Sequence, residues 1–436
     1  MNSVAGNSVR IPASMHSIRS EQICQRADGI IRRLQQAGFE AYLVGGCVRD
    51  LLLGLIPKDF DIATSAHPEQ VRKLFSSARL IGRRFRLAHI YFGRDYLEVA
   101  TFRAPHDDSD EGHVNDQGRI LQDNVYGTLE EDVWRRDFTI NALFYDPVTG
   151  DVLDFVNGLQ DLRQRELKLI GNPELRYRED PVRMLRALRF AAKLQCQTEG
   201  ETFDLIHQLG PLLRGVAPAR LFDELLKLLH NGTGWKSFRL LEAYGLLPYL
   251  LPVVAESFKQ ERSGGMFRRL LQASLENTDK RIEEGKSVQP SFLFAVLLWE
   301  KVQRLMLQEL DDHPELQAIQ LAANDALQDQ VQVTAIPRRF SNITREIWGL
   351  QPRFRAHDLR RVNLLLNHPR FRAAYDFLCL RAQAGENVQD QVEWWTALMA
   401  ASHEDRLLMC KPSGKKRRPK KRRSAHKALP VTVLVD

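Results

Sequence analysis

The 436-residue chain is 44% hydrophobic and 27% charged and carries a net charge of +7, a balance typical of a globular protein with two or three domains. Its longest apolar run, residues 292–299, is far too short to span a bilayer, and residues 1–20 contain no apolar core, so we expect neither an integral membrane segment nor a secretory signal. The five cysteines are widely scattered without metal-ligand spacing, which indicates reduced thiols in a cytoplasmic protein rather than a zinc motif.

The positive charge is concentrated at the C-terminus. Ten of the 62 Lys and Arg residues lie in residues 411–427, which contain no acidic residue, so residues 1–410 hold 52 basic against 54 acidic residues. A run this basic cannot bury itself in a core, and we expect a disordered tail over 411–436. The tail is either an arm that binds a polyanion, with nucleic acid as the favoured partner, or a solvated segment with no specific partner.

Short helices and strands alternate in the first third of the chain. After a segment expected to be flexible (1–19), the periodicity predicts a helix over 20–37, a strand over 41–44, a helix over 48–53 that ends at Gly54, a strand over 60–64, a helix over 67–75 and a hairpin over 86–103 that turns at 93–95. The polar segment 104–124 is expected to be a mobile loop.

From about residue 160 the pattern becomes helical, with no visible internal repeat. It predicts helices over 179–194, 220–230, 236–244, 266–276, 291–309, 315–328 and 371–383. Trp348, Trp394 and Trp395 are interpreted as core aromatic residues rather than as surfaces that stack on RNA. We therefore expect an α+β protein: a small head with a mixed or antiparallel sheet, then an elongated all-helical body and the basic tail.

Two carboxylates follow a glycine turn in "GGCVRDLLLGLIPKDFDIAT", residues 45–64. Asp59 and Asp61 are two residues apart, so on a strand both side chains would point to the same face. Like charges this close repel each other unless a cation lies between them, and carboxylate oxygens suit Mg²⁺. An isolated Asp-x-Asp is common, however, and does not by itself establish a metal site.

The residues ahead of the aspartates suggest a phosphate site. Gly45 and Gly46 let the backbone approach a ligand closely, and a helix that begins near Cys47 would direct its free N–H groups at that ligand. Arg49 adds a positive charge. Metal carboxylates facing a phosphate cradle are typical of phosphoryl or nucleotidyl transfer, although a Gly-Gly pair alone is equally typical of an ordinary turn.

Three segments together resemble one enzyme family. "GGCVRDLLLG…KDFDIAT", "EEDVWRRDFTINALFYD" (130–146) and "RYREDPVRMLRALRFAAKL" (176–194) are similar to the motifs of the class II nucleotidyltransferases of the DNA polymerase β superfamily, which comprise the tRNA CCA-adding enzymes and the bacterial poly(A) polymerases. The resemblance covers about residues 38–260 and, more weakly, the chain to about 410. It implies a polymerase-β-like catalytic head (20–160), a helical neck that selects the nucleotide and binds RNA (161–262), and an RNA-binding helical body (263–410).

The resemblance also implies a catalytic set of three acids. The family places a third acidic group beside the two metal aspartates, and Glu98 in "LEVATFR" matches that position. A carboxylate there would hold metal or help to deprotonate the attacking hydroxyl; the plainer alternative is a surface glutamate on a half-exposed strand. The implied cofactor is a pair of Mg²⁺ ions held by Asp59 and Asp61, with Mn²⁺ as a substitute.

Two further motifs are implied to bind the nucleotide. In "RRDFTIN", Arg136 would contact phosphate and Asp137 would accept a hydrogen bond from a ribose 2′-hydroxyl; the alternative is a helix-capping Asp among solvated arginines. Asp180 and Arg183 would read the Watson–Crick edge of the base; the alternative is an ion pair within one helix. The expected nucleotide-binding residues are Gly45, Gly46, Arg49, Asp50, Arg136, Asp137, Asn141, Asp180 and Arg183.

Within the family, the sequence favours a poly(A) polymerase. "LIGRRFRLAHI" (80–90) and residues 220–247 resemble segments of the bacterial poly(A) polymerases, and a basic tail suits an enzyme that holds many unrelated RNAs. We predict template-independent addition of AMP from ATP to single-stranded RNA 3′ ends, with release of pyrophosphate and a role in bacterial RNA decay. We expect a cytoplasmic monomer whose protein partners are RNA chaperones or RNA-degradation proteins.

Two other functions remain as alternatives. The first is CCA addition to tRNA, which uses the same motifs. The second is a non-catalytic RNA-binding protein on this scaffold, against which the intact Asp59 and Asp61 pair argues, because a binding module gains nothing from two crowded carboxylates.

Overall fold

The computed structural model describes residues 9–82, 86–104, 125–198, 200–261 and 265–410. The chain divides into two compact units, Met1–Arg345 and Glu346–Asp436. The boundaries expected near residues 160 and 262 both fall inside the first unit and stay predictions. The predicted loop is described only at residue 104, and the basic tail 411–436 lies outside the described residues.

A mixed sheet organises the start of the first unit. Within the described residues it has eight strands in the order β1-β8-β7-β2-β3-β6-β5-β4, and every neighbouring pair is antiparallel except β3 and β6, which run parallel. The strands are β1 Val9–Ile11, β2 Ala41–Val44, β3 Ile62–Thr64, β4 Ala78–Ile81, β5 Leu87–Phe92, β6 Asp95–Thr101, β7 Phe144–Tyr145 and β8 Val152–Asp154. The predicted mixed-sheet head is confirmed.

Five helices accompany the sheet: α1 Gln25–Gln36, α2 Gly46–Leu52, α3 Pro68–Leu74, α4 Leu129–Trp134 and α5 Gly158–Gln164. Helix α1 buries Ala27, Ile30, Ile31 and Leu34, the face that its periodicity produces. It begins later than predicted because Ser20–Gln22 form a separate 3₁₀ turn.

Two expectations about this region need correction. Residues 9–19 are not a flexible segment, because β1 pairs with β8 and Ile11 and Ile18 are buried; residues 1–8 lie outside the described part. The strand expected at 60–64 begins only at Ile62, so Asp59 and Asp61 precede β3 rather than lying in it.

The remainder of the described chain is helical. The helices are α6 Pro173–Glu179, α7 Val182–Leu194, α8 Glu201–Asp204, α9 Ile206–Leu209, α10 Pro218–Leu229, α11 Gly234–Ala243, α12 Leu247–Leu250, α13 Pro252–Gln260, α14 Met266–Glu283, α15 Pro290–Leu297, α16 Trp299–Glu309, α17 Glu315–Val331, α18 Arg338–Leu350, α19 Leu359–Leu366, α20 Phe371–Ala384, α21 Gln389–Ala400 and α22 His403–Met409. The predicted helical body is confirmed.

Two predicted helices are each interrupted. The helix expected over 179–194 breaks at Asp180, whose backbone is extended (φ −143°, ψ 93°), because the residue before a proline disfavours helical geometry. The helix expected over 291–309 breaks at Leu298 (φ −105°, ψ 2°). The first break matters for function, since it places Asp180 at the junction of α6 and α7.

The second unit has its own aromatic core, which includes Phe354, Tyr375 and Trp395. The Trp395 indole N–H donates to the Phe354 carbonyl at 2.8 Å. Trp348 and Trp395 are fully buried, which confirms their interpretation as core residues, and the partly buried Trp394 stacks on His357 with ring centroids 4.4 Å apart.

All five cysteines lie in the described residues and are free thiols, as expected. No helix in the described ranges combines the length and apolarity that a membrane crossing needs.

Candidate active site

The parallel pairing of β3 and β6 brings two of the predicted catalytic acids together. Ile62 pairs with Val99, so Asp61 and Glu98, each one residue earlier, lie next to each other where the strand pair begins. The Asp61 carbonyl accepts the Val44 N–H at 3.0 Å, which continues the strand geometry by one residue. The alignment that the structure shows is therefore between Asp61 and Glu98 of the neighbouring strand, whereas Asp59 and Asp61 both precede β3 and do not share a strand.

The electrostatics of Asp61 show how crowded this corner is. Asp61 is accessible to solvent, yet desolvation by the surrounding protein is the largest cause that raises the pKa of its carboxyl, followed by the negative charges of Glu98 and Asp59. Arg136 acts in the opposite direction and lowers it. The three acids and Arg136 thus interact, with negative charge in excess. We call Asp59, Asp61 and Glu98 the carboxylate corner.

The carboxylate corner fits a divalent cation. Its donors are hard carboxylate oxygens, the ligands that Mg²⁺ and Mn²⁺ prefer, and a cation there would offset both the desolvation of Asp61 and its repulsion by Glu98 and Asp59. Within the described ranges, no three His, Cys, Asp or Glu side chains form a complete metal cage. Mg²⁺ is usually bound by one or two protein carboxylates, with substrate phosphates and waters completing its coordination.

A glycine turn, Gly45 and Gly46, lies beside these acids, and we call it the glycine corner. Gly45 has a positive φ of 76° and precedes α2, and its N–H donates to the Leu143 carbonyl at 3.2 Å. A Cβ atom at Gly45 would lie 3.6 Å from the Asn141 carbonyl and 3.7 Å from the Arg136 guanidinium. Glycine is favoured here because L side chains rarely adopt this φ, and the turn brings Gly45 next to two predicted nucleotide-binding residues.

Arg49 and Asp50 form a buried network below the glycine corner. The Arg49 guanidinium donates to Asp50 Oδ1 at 2.6 and 2.8 Å and to Asn141 Oδ1 at 2.7 Å, and it lies over the Phe190 ring. Lys193 Nζ lies 3.4 Å from Asp50 Oδ2. These contacts connect α2, the "RRDFTIN" segment and α7. A direct contact between Arg49 and phosphate stays a prediction.

In "RRDFTIN", Asp137 is an engaged acceptor. It accepts from the Phe138 N–H at 2.8 Å, from Asn141 Nδ2 at 3.2 Å and from Arg186 Nε at 2.7 Å. Burial acts to raise the pKa of Asp137, but the Arg186 charge and these hydrogen bonds outweigh it and hold the pKa below its ordinary value. Arg186 Nη2 also lies 2.5 Å from Asp137 Oδ2, so Asp137 is an ionised carboxylate fixed by α7.

Arg136 is positioned by α4 and the sheet. It donates to Asp132 Oδ2 at 2.7 Å, and its guanidinium lies 5.0 Å from the centroid of the Phe144 ring. The residue is partly exposed, so the same guanidinium can face both Asp61 and a ligand. The contact between Arg136 and phosphate stays a prediction.

Asp180 and Arg183 do not pair with each other. Arg183 donates to the Arg176 carbonyl at 2.7 Å and to Glu179 Oε2 at 2.8 Å. Asp180 accepts from the Val182 N–H at 3.2 Å and from Arg220 at 2.5 Å. The alternative of an intrahelical ion pair between Asp180 and Arg183 is therefore wrong, because the break before α7 sends the two side chains to different partners.

Sequence reasoning missed the residues that hold this region in place. Arg176 donates to the carbonyls of Arg135 and Arg136 at 2.8 and 2.6 Å and pairs with Glu179 at 2.7 Å. Arg176, Glu179 and Arg183 have helical i, i+3 and i+4 spacing, which was a usable signal. Arg186 and Arg220 lie 49 and 40 residues from their acidic partners, and no local pattern predicts such pairs.

Three family profiles match this chain. They are described as "Poly A polymerase head domain" over residues 41–168, "Probable RNA and SrmB- binding site of polymerase A" over 197–258, and "Polymerase A arginine-rich C-terminus" over 311–428. The first contains the carboxylate corner, the glycine corner and Asp137.

Whole-chain relatives agree with these profiles. The chain is 45% identical to poly(A) polymerase I of Salmonella typhimurium, over 95% of this chain and 90% of the relative. It is 42% identical to the Haemophilus influenzae poly(A) polymerase I, over 95% of both chains. By contrast, a CCA-adding enzyme of Streptococcus uberis is 40% identical over only 52% of this chain and 55% of its own length.

Solved structures share the fold. An apo CCA-adding enzyme superposes with a TM-score of 0.58 at 19% identity, covering 90% of this chain and 87% of the other. The Thermotoga maritima CCA-adding enzyme complexed with tRNA has the same TM-score and identity, with 94% and 92% coverage. At this level of identity the similarity concerns the fold alone.

Proposed function

This chain belongs to the bacterial poly(A) polymerase I family, and on that basis we propose how its residues carry out the reaction. It is a poly(A) polymerase, an RNA-binding nucleotidyltransferase. The two alternatives carry less weight: the sequence similarity to a CCA-adding enzyme covers only about half of the chain, and a purely RNA-binding role leaves the crowded carboxylates without a purpose.

The reaction that we propose joins AMP to an RNA 3′ end. The RNA 3′-hydroxyl oxygen bonds to the α-phosphorus of ATP, the bond from that phosphorus to the β-phosphate bridging oxygen breaks, and pyrophosphate leaves. The hydroxyl proton passes to Glu98, which is half exposed beside Asp61, and from there to solvent. No covalent enzyme intermediate is needed.

Enzymes of this family typically use divalent metal ions, and we propose two Mg²⁺ ions, or Mn²⁺ in their place, held by Asp59 and Asp61. When bound, such ions lower the pKa of the attacking hydroxyl and neutralise charge on the departing pyrophosphate. The single observation that carries this proposal is the strand register that places Asp61 beside Glu98, with Asp59 two residues before Asp61.

The nucleotide would lie between the glycine corner and α7. We propose that Gly45 and Gly46 allow the triphosphate to approach the backbone, that Arg136 contacts a phosphate oxygen, and that Asp137 accepts from the ribose 2′-hydroxyl. Arg49, Asp50 and Asn141 support this arrangement from below through their buried hydrogen bonds.

Base selection would come from the junction of α6 and α7. Asp180 can accept from the adenine amino group, and Arg183 can donate to the adjacent ring nitrogen. Arg220 holds Asp180 and Glu179 holds Arg183, so each side chain has a defined orientation and neither neutralises the other. A uracil edge reverses this arrangement of donor and acceptor, whereas a cytosine edge, with its amino group beside a ring nitrogen, repeats it.

A nucleotide-choice assay tests this function. An unstructured RNA is incubated with Mg²⁺ and each NTP separately, and the products are resolved by length. We expect long tails with ATP and poor use of CTP. Efficient CTP addition to a tRNA that lacks its 3′ end, stopping after three nucleotides, would instead support CCA addition.

We also propose where partners bind. The profile over residues 197–258, named for RNA and SrmB binding, supports an RNA site and a site for an SrmB-like protein on the helices α8–α13. We propose that the substrate is the single-stranded 3′ end of RNA and that the enzyme acts in the cytoplasm in RNA decay, together with RNA-chaperone or RNA-degradation proteins. The monomeric state stays a prediction.

A further inference from the structure

An aromatic strip lies next to Glu98 on the β5–β6 hairpin. His89 pairs across the strands with Glu98, and Tyr91 pairs with Tyr96. The His89 and Tyr96 rings are stacked, with centroids 4.3 Å apart and planes 5° from parallel, and Tyr91 lies 5.6 Å from Tyr96 at 46°. We call His89, Tyr91 and Tyr96 the aromatic strip.

The hairpin has one buried face, and the aromatic strip lies on its other face. Ala88, Ile90 and Val99 are buried, so the alternation of side chains places the strip on the other face. Tyr96 is 47% exposed, whereas the His89 side chain is only 12% exposed. Tyr96 is therefore the accessible end of a stack whose inner member supports it.

The strip is continuous with the carboxylate corner. His89 Nε2 lies 3.5 Å from Glu98 Oε1, and Tyr96 precedes Glu98 by two residues on one strand, a separation of about 7 Å. That distance is comparable with the reach from a nucleobase to the 3′-hydroxyl of its own nucleotide. A base held on Tyr96 would thus place its 3′-hydroxyl close to Glu98.

We propose that the aromatic strip is the stacking site for the 3′-terminal base of the RNA primer, with Tyr96 as the residue that contacts it. The inference rests on the proposed role of Glu98, since that role requires the primer end to come to this edge of the sheet. Every base has a π face, so stacking on Tyr96 tolerates any 3′ nucleotide, which suits an enzyme that extends unrelated RNAs.

A positive charge accompanies the strip. The Arg79 guanidinium lies 5.2 Å from the Tyr91 ring centroid, and Arg79 is exposed on β4 opposite His89. Aromatic rings with an adjacent arginine are the combination that single-stranded nucleic acid sites use, because the rings take the bases and the cation takes the backbone. Arg79 is thus placed to contact a primer phosphate.

The competing explanation is that the rings only stabilise the hairpin, as cross-strand aromatic pairs do. The two explanations differ in what Tyr96→Ala would change. A hairpin role predicts lower thermal stability with unchanged primer affinity. A stacking role predicts weaker primer binding by about fivefold to a hundredfold, with the ATP KM unchanged.

The test uses the full-length enzyme and an RNA primer whose 3′-terminal base is 2-aminopurine, whose fluorescence is quenched by stacking. We expect quenching and a low primer KM for wild type and for Tyr96→Phe, and loss of both for Tyr96→Ala. Tyr96→Leu, which keeps apolar packing on the hairpin without a π face, should behave like Tyr96→Ala. Leu97→Ala is the matched control, since Leu97 faces the opposite side of the same strand.

The outcomes separate this inference from the proposed function. Glu98→Gln should retain quenching and primer binding while AMP transfer falls. If Tyr96→Ala and Tyr96→Leu bind and quench the primer like wild type while Glu98→Gln is inactive, the stacking site is refuted and the proposed function stands. If Glu98→Gln transfers AMP normally, the proposed role of Glu98 is refuted instead.

Discussion

The carboxylate corner and the α6–α7 junction use charge in opposite ways. At the corner, Asp59, Asp61 and Glu98 crowd together and the pKa of Asp61 is raised. At the junction every ionic group has a partner: Glu179 accepts from both Arg176 and Arg183, and Arg220 pairs with Asp180. The corner has a charge imbalance that a ligand would relieve, whereas the junction is already ordered before any ligand binds.

This difference separates two tasks of a polymerase. Chemistry on a triphosphate needs a cation, and excess negative charge attracts one. Base selection needs donors and acceptors in fixed positions, which paired side chains provide without reorganisation. Changes at the corner should therefore affect the rate with every nucleotide, and changes at the junction should affect the choice between nucleotides.

The largest expected effect is that of Asp61→Ala. Loss of this ligand should lower AMP transfer at least about 10³-fold, because metal charge stabilisation supplies several kcal/mol of the barrier reduction, while RNA binding persists. Gel-based extension in Mg²⁺ and filter binding measure the two quantities.

Asp95→Ala is the matched control for Asp61→Ala. Asp95 is a 75% exposed carboxylate on the neighbouring strand β6 and pairs with Arg26 at the surface, so its removal should leave activity near wild type. Appreciable transfer by Asp61→Ala would refute the metal assignment.

The next effect is on nucleotide choice. Arg183→Ala removes a donor that Glu179 and the Arg176 carbonyl hold in place, and the ratio of kcat/KM for ATP to that for UTP, whose edge has a donor where adenine has an acceptor, should fall about tenfold. The control is Arg178→Ala, which breaks the exposed ion pair between Arg178 and Glu174 within α6. This variant should leave the ratio unchanged. An equal loss with all four nucleotides after Arg183→Ala would show that Arg183 is structural.

Part of this contrast could be predicted from the sequence. The Asp59–Asp61 spacing, the glycines before α2 and the β5–β6 hairpin are local features, and the structure contains all of them. The Asp137–Arg186 and Asp180–Arg220 pairs join residues 40 or more positions apart, and tertiary packing decides such pairs. The break at Asp180 was visible in the following proline, but the strong helical periodicity on both sides obscured it.

The burial of Arg49 is another feature that the sequence could not reveal. The sequence placed Arg49 among the expected nucleotide-binding residues, and the structure shows its guanidinium buried under the glycine corner, where it donates to Asp50 and Asn141. The acceptors that an arginine reaches depend on the segments packed around it. Here one acceptor, Asn141, lies 92 residues away in the sequence.

A smaller effect concerns the stability of the metal-free enzyme. The pKa of the Asp61 carboxyl is raised in the folded protein, so ionisation of Asp61 lowers the stability of the fold. This loss of stability is absent at a pH below the pKa that Asp61 has in the unfolded chain. It is complete once the pH exceeds the pKa in the folded protein. Asp61→Asn should therefore raise the melting temperature at pH 7 in EDTA by a few degrees, and the gain should disappear in acid. A lower melting temperature at pH 7 in EDTA would contradict the crowding at this corner.

The smallest effect on chemistry is expected from the tail. Residues 411–427 carry ten basic residues, and if roughly half of them engage RNA they contribute about −3 to −4 to the log–log salt slope of binding. Deleting 411–436 should flatten the salt dependence and shorten tails per encounter, with little change in rate at saturating primer. An unchanged salt slope would show that the tail is not an RNA-binding arm.

The most direct test of the central claim is a Mn²⁺ titration followed by electron paramagnetic resonance, in the presence of an ATP analogue that cannot transfer AMP. If the carboxylate corner holds the catalytic cations, wild type binds Mn²⁺ and Asp61→Asn binds it at least about tenfold more weakly, while Asp95→Asn matches wild type. Equal Mn²⁺ affinity in wild type and Asp61→Asn would contradict the account.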